Sequence, residues 1–378
     1  MLNFILQERF FKYWEKNYYG NVNPEIMPID SSNLELFITP TCNQKCEYCY
    51  LIKHKELYPQ EINKPELILQ NLDSLINYFI EKQYYIPQID LFSGEIWHTD
   101  FGITILNKLY DSAFKGFKFD KIMIPSNGTF MQYPEYRDKI QTLIRKFKEI
   151  NIRLTISFSI DGLVLEELNR PRVNDTMIRD ENFYHKIFEF CKYNEFVFHP
   201  MVSSHSIDKW KENFIWWKNI CKEYNADPHK ALMLLEVRDD NWSEQNIKDY
   251  CDFLKFLFLD ALNKYNNNIE DFIRFYFGLE LQEPDEFKAG MGYTPYLLIE
   301  SSYNVPCSIS TELIVRLGDL SIVPCHRLSY PQFIYGKFNT DENNKITHIT
   351  SNNVYMPIRT YFGNHRNCTP ICDTCLYK

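Results

Sequence analysis

From residue 34 onward, short apolar runs rich in β-branched and aromatic residues alternate with longer stretches whose apolar positions recur every three or four residues. The short runs predict strands at 34–40 (LELFITP), 88–95 (QIDLFSGE), 121–127 (KIMIPSN), 152–161 (IRLTISFSID), 196–202 (FVFHPMV) and 231–237 (ALMLLEV). Residues 66–82, 136–150, 214–224 and 243–265 read as amphipathic helices. Strands separated by helices at this spacing predict parallel βα units, with strands buried on both faces. Six units fall short of the eight that close a standard barrel. The expected class is therefore α/β, a partial (β/α)6 TIM-like barrel, in which function collects at the carboxyl ends of the strands.

Either side of the barrel (34–240) the pattern changes. Phe4, Phe11, Trp14 and Tyr18 recur at roughly helical spacing, so 1–33 is expected to be a helical extension packed on the core. Residues 241–295 read as a helical connection, ending near the acidic stretch LELQEPDEF at 279–287. Beyond it, ELIVRL (312–317) and LSIVPC (320–325) flank Gly318-Asp319 as a hairpin would, and the rest is loop-like. Residues 296–378 are thus expected to form a small cysteine-rich β-hairpin/loop domain.

Composition narrows the functional classes. Fifty acidic residues against 41 basic ones give a net charge of −9, and no long Lys/Arg run offers a nucleic acid its counter-charge. No run reaches the roughly 18 apolar residues of a membrane span. Glu8, Arg9, Lys12, Glu15 and Lys16 break up the N-terminal apolar residues, so no secretion signal is read there and a cytoplasmic location is expected. The 26 Tyr, 29 Phe and 6 Trp are an excess with no specific function attached. Eleven cysteines carry more information: three lie within 42–49 and five within 307–375. An odd count in a reducing compartment speaks against a disulfide framework and for metal or redox chemistry. Cys191, Cys221 and Cys251 stand alone in predicted helices and read as small buried hydrophobes.

Directly after the first predicted strand, Cys42, Cys46 and Cys49 are spaced C-x3-C-x2-C. Three thiolates on one compact loop can hold three irons of a four-iron cube and leave the fourth iron open to a reacting ligand. A zinc site with His54 as fourth ligand is the alternative.

With Tyr48 before the last cysteine, this motif resembles that of the radical S-adenosylmethionine (SAM) superfamily, C-x3-C-Φ-C with an aromatic Φ that leans on the adenine. The resemblance implies a four-iron four-sulfur (4Fe–4S) cluster whose open iron is chelated by SAM, reductive cleavage of SAM, and hydrogen abstraction by a 5′-deoxyadenosyl radical. Further strand ends fit in order. Ser93-Gly94-Glu95-Ile96 is similar to the family's Gly-Gly-Glu-Pro, although the first Gly and the Pro are replaced, so Gly94 and Glu95 carry over. Ser126-Asn127-Gly128 is similar to Thr-Asn-Gly, and Ser159-Ile160-Asp161-Gly162 to Ser-x-Asp-Gly. What carries over is SAM binding by Tyr48, Gly94, Glu95, Asn127, Ser159 and Asp161. Arg170 and Arg172 could clamp the methionine carboxylate or remain solvated loop charges. Glu236 and Arg238 could face substrate or form an interior ion pair.

Near the C-terminus, Cys307 and Cys325 span the predicted hairpin, with Gly318 between them, and Cys368, Cys372 and Cys375 follow. Four thiolates suit a closed 4Fe–4S cluster or a zinc ion equally. The pattern resembles the auxiliary-cluster extensions called SPASM or twitch domains. A full SPASM domain has seven such cysteines and this chain five, which implies one auxiliary cluster, held by Cys307, Cys325, Cys372 and Cys375, with Cys368 a substitute ligand or free thiol.

Relatives of this kind mostly modify peptides. The resemblance implies a maturase of a ribosomally made precursor peptide that installs an oxidative C–C, C–O or thioether cross-link. An auxiliary cluster takes up the extra electron, and an external donor such as flavodoxin or ferredoxin supplies the first. Anaerobic sulfatase-maturing enzymes place Asp after the hairpin's second cysteine; here His326 stands there, as a candidate base or the orienter of a cysteine sulfur. Oxidation of a sugar or cyclitol alcohol, peptide epimerisation with Cys368 as hydrogen donor, and a zinc-stabilised binding module are the alternatives.

Overall fold

The structure, a computed structural model, describes residues 29–58, 63–171, 179–194, 196–232, 234–237, 240–264, 312–326 and 329–351. Strands β1 (Asn33–Phe37), β2 (Tyr85–Phe92), β3 (Lys118–Ser126), β4 (Arg153–Phe158) and β5 (Phe196–Phe198) lie side by side, all parallel. Helices α1 (Pro65–Lys82), α2 (Phe101–Phe114), α3 (Pro134–Glu149) and α4 (Glu181–Cys191) connect them in turn. A short parallel pair, β6 (Met201–Val202) and β7 (Leu235–Glu236), is separated by α5 (Trp210–Glu223), and α6 (Glu244–Lys264) follows. This is the predicted alternation.

The C-terminal strands do not stand apart. β8 (Glu312–Arg316) pairs in parallel with β1, and β9 (Ser321–Val323) returns antiparallel beside it, the predicted hairpin. Two strands that the sequence pattern did not suggest, β10 (Gly336–Thr340) and β11 (Ile346–Ser351), complete one nine-stranded sheet of order β11-β10-β9-β8-β1-β2-β3-β4-β5. β11 is largely exposed, so the hydrophobic alternation that would mark it is weak.

The helices pack on one side of this sheet. Leu34, Leu36, Ile89, Leu91, Ile122, Ile124, Leu154 and Ile156 point there and are fully buried against α1–α4, which present stripes such as Ile68, Leu72, Leu75 and Phe79 at helical spacing. Alternate residues face the other way. Glu35, Asp90, Phe92, Met123, Pro125 and Ser157 line a cavity on the concave face. The expectation of strands buried on both faces holds for these positions, but on the concave side the buried residues include polar and charged ones at period two, such as Glu35, Asp90 and Ser157.

Aromatic residues fill the wedge between β4, β5 and the helices α4 and α5. Phe130, Phe158, Phe190, Phe188, Phe198 and Trp217 meet ring to ring at centroid distances of 5.1–6.3 Å. Packing thus absorbs part of the aromatic excess. Cys191 and Cys221 are buried as expected, whereas Cys251 is exposed. Phe253, Leu257 and Ala261 form the buried stripe of α6, and Cys251 falls outside that four-residue repeat.

Candidate functional site

The Cys42–Cys49 loop leaves β1 at its carboxyl end and folds over the cavity, which has a volume of about 340 Å³. Cys42, Cys46 and Cys49 are half-buried and all three line it. Burial pushes the Cys42 and Cys46 thiols up to about 12; Glu95 adds to this at Cys42, while Arg170 opposes it at Cys46. No three described His, Cys, Asp or Glu side chains converge tightly enough to hold a single metal ion.

Backbone contacts fix the loop to the neighbouring strand end. The Gly94 amide donates to the Thr39 carbonyl at 2.7 Å and the Glu95 amide to the Thr41 carbonyl at 2.9 Å. A Cβ on Gly94 would lie 2.3 Å from the Thr41 oxygen and 2.6 Å from the Pro40 oxygen, so only glycine allows this approach.

Of the expected SAM-binding residues, Tyr48, Gly94, Asn127, Ser159 and Arg170 reach the cavity wall, and Glu95 and Asp161 stand behind it. The Glu95 carboxylate accepts from the Trp97 amide, the Ser126 hydroxyl and the Asn127 amide, the last at 2.6 Å. Burial nevertheless raises its pKa to about 7. Glu95 thereby holds the Ser126-Asn127 turn, and the Asn127 amide group in turn donates to Asn43 of the cysteine loop at 2.7 Å. Asp161 is fully buried and accepts from the Tyr48 hydroxyl (2.9 Å), Arg170 (3.0 Å) and the Met201 amide (2.8 Å). Arg170 is 5% exposed, so it is no solvated loop charge; its guanidinium also lies 5.4 Å from the Tyr48 ring centroid. Arg172, Arg238, Cys307, Cys368, Cys372 and Cys375 lie outside the described residues, as does the Glu236 side chain.

His326 enters the cavity from the C-terminal side. Its ring stacks on Phe92 at 4.1 Å, and Nδ1 meets the Glu35 carboxylate at 2.9 Å. Tyr58 holds the preceding backbone turn by donating to the His326 carbonyl. The Glu35 contact gives Nδ1 a carboxylate partner, which places the ring as an oriented imidazole. Cys325, its neighbour, is half-buried.

Several site residues were not anticipated. Glu35, Asp90 and Glu312 line the cavity from β1, β2 and β8; a charge inside an otherwise apolar strand was the available signal. Gln44, between Cys42 and Cys46, and Ser93 are buried, and the Gln44 Nε2 and Ser93 Oγ atoms have no hydrogen-bond partner among the described residues. Both line the cavity, as groups awaiting an occupant would. Buried behind the wall, Arg179 pairs with Glu166 and donates to the Asn127 carbonyl at 2.7 Å.

No family model matches the sequence, and no curated protein does. Solved structures do match the fold. Native anSMEcpe with bound AdoMet superposes with a TM-score of 0.56 at 18% identity, over 91% of this chain and 86% of that one. Native anSMEcpe with bound AdoMet and Cp18Cys peptide gives 0.55 at 17% identity over the same shares. This chain has the radical SAM fold. Within it, the cysteine loop stands at the end of the first strand and the cavity under that loop, where the radical SAM resemblance of the sequence expects them. Among the described residues, no helix is long and apolar enough to cross a membrane.

Proposed function

We propose that this chain is a radical SAM enzyme that oxidatively modifies a peptide. The observation that carries the reading is the meeting of Cys42, Cys46 and Cys49 with Tyr48, Gly94, Asn127, Ser159 and Arg170 around one cavity. The structural neighbours, which hold AdoMet and in one case a peptide as well, support it. The residues present fit the cofactors: three thiols on one loop, a glycine that lets backbone approach closely, and buried Gln44 and Ser93 groups without partners.

Bound there, a 4Fe–4S cluster and SAM would supply the deoxyadenosyl radical that removes a substrate hydrogen. Cys42, Cys46 and Cys49 would ligate three irons of the cluster. Tyr48, fixed by its hydroxyl bond to Asp161, presents its ring at the wall where an adenine would lean. Arg170 brings a buried positive charge to the same wall, suited to a carboxylate. His326, oriented by Glu35, can take the proton that leaves the substrate as it is oxidised. Cys325, with Cys307, Cys372 and Cys375, would hold the auxiliary cluster of the C-terminal region. A flavodoxin- or ferredoxin-type donor would reduce the SAM-binding cluster.

The test is anaerobic incubation with SAM, a reductant and the peptide encoded by a short reading frame beside the gene. Cross-linking predicts a product lighter by two hydrogens, with one 5′-deoxyadenosine released per product. A peptide of unchanged mass that gains one deuterium in heavy water means epimerisation. Oxidation of a sugar or cyclitol alcohol in place of the peptide would refute the peptide assignment.

A further inference from the structure

Within the cysteine loop, one buried side chain is left with an unused donor. Gln44, between Cys42 and Cys46, is 3% exposed and lines the cavity. Its backbone N–H donates to the Cys42 sulfur at 3.4 Å, and the Asn127 amide group donates to the same sulfur at 3.9 Å. Cys42 therefore already has N–H donors. Cys46 has none among the described residues; its thiol instead donates to the Gln44 Oε1 atom at 3.8 Å. The other end of that amide, Nε2, is buried and meets no acceptor among the described residues.

Ligation of iron would change this contact. A cysteine bound to iron is a thiolate, which accepts hydrogen bonds and donates none. Oε1 would then face an acceptor. The backbone on either side of Cys46 is pinned, because the Lys45 and Glu47 amides donate to the Pro171 and Asn169 carbonyls at 2.8 and 3.1 Å. The amide itself is not. Its oxygen and nitrogen ends are nearly the same size, and the last torsion of a glutamine side chain is broad and roughly two-fold. A half-turn brings Nε2 to the Cys46 sulfur and breaks no bond at the nitrogen end. It leaves a carbonyl oxygen in place of an N–H, which is the better tolerated of the two without a partner.

We propose that the Gln44 side-chain amide donates a hydrogen bond to the Cys46 sulfur of the SAM-binding cluster and so raises the cluster's reduction potential. This concerns the same site as the radical SAM reading and rests on it. Hydrogen bonds to the sulfurs are among the factors that set such potentials, and a donor favours the reduced cluster because it carries one more negative charge. The electron comes from the external donor and passes on to SAM, so Gln44 is not consumed; it sets how readily that electron is taken up.

The test uses the full chain, reconstituted anaerobically with iron and sulfide, in a redox titration followed by EPR. The SAM-binding cluster is recognised as the signal that added SAM alters. Q44M, similar in length but without a donor, should hold as much iron as wild type. Its reduction equilibrium should be about tenfold less favourable, a midpoint about 59 mV lower for one electron. An unchanged or raised midpoint overturns the inference. The second measurement needs no variant: wild type is made with glutamine labelled with heavy nitrogen in its side chain alone. Pulsed EPR should then show coupling of that nitrogen to the SAM-altered signal. Should Q44M bind no iron, this coupling decides by itself, its presence upholding the inference and its absence overturning it. A cluster that responds to SAM without the coupling sinks this inference alone. No SAM-responsive cluster at all sinks the radical SAM reading.

Discussion

Replacing Asp90 with asparagine should stabilise the protein, and by more at pH 8 than at pH 5. Asp90 is 5% exposed, and burial lifts its pKa from the ordinary 3.8 to about 7. The unfolded chain therefore ionises at this position near pH 4 and the folded protein near pH 7. Between those values the folded state holds the extra proton, so wild-type stability falls as pH rises and levels off above pH 7. Each unit between the two pKa values is about 1.4 kcal/mol. The wild type thus carries a cost of about 2 kcal/mol at pH 5 and about 4 kcal/mol at pH 8. Asparagine has the same shape, still accepts from Gln88 and never ionises, so it removes that cost. The two gains differ by about 2 kcal/mol. With an unfolding entropy near 2 cal/mol/K per residue over 378 residues, this is about 3 °C in Tm. Differential scanning calorimetry of wild type and D90N at both pH values, without added peptide, measures it. An equal gain at both pH values, or destabilisation at pH 8, would refute the assignment of Asp90 as a buried, charge-strained carboxylate.

Other positions give sharper losses. Gly94→Ala drives a methyl group into the Thr41 and Pro40 carbonyls, so the cysteine loop must shift; about 1–3 kcal/mol of stability should go, and iron content after reconstitution should fall. Asp161→Asn leaves the Arg170 guanidinium buried without its counter-charge, which should cost about 3–5 kcal/mol and lower the Tm measured by circular dichroism. Cys325→Ala should lower bound iron by about four atoms while 5′-deoxyadenosine release persists; iron equal to wild type would remove Cys325 from the auxiliary site.

Local spacing made much of this protein legible. The strands at 34–40, 88–95, 121–127 and 152–161 were readable because each is a short local run rich in β-branched and other apolar residues, and each has its counterpart in β1–β4. Cys42, Cys46 and Cys49 share one loop, so their association needed no tertiary information. The direction of a side chain at a strand end is different. Glu95 and Asp161 matched family positions, yet their carboxylates turn inward to Ser126, Asn127, Tyr48 and Arg170. The row of Glu312, Glu35 and Asp90 along the cavity was hidden for another reason: it depends on β1 pairing with β8, nearly 280 residues later, a contact no local pattern encodes. Glu35 and Asp90 were visible as charges inside apolar strands, but the supposition that both faces were apolar removed the reason to ask what they face.

The central claim, that the Cys42 loop holds a cluster at which SAM is cleaved, is tested most directly by anaerobic reconstitution with iron and sulfide, followed by dithionite, SAM and quantitation of 5′-deoxyadenosine. The account predicts a brown protein with about eight irons that releases 5′-deoxyadenosine, and no release from Cys42→Ala. A colourless, zinc-loaded protein that leaves SAM intact under the same conditions would contradict it.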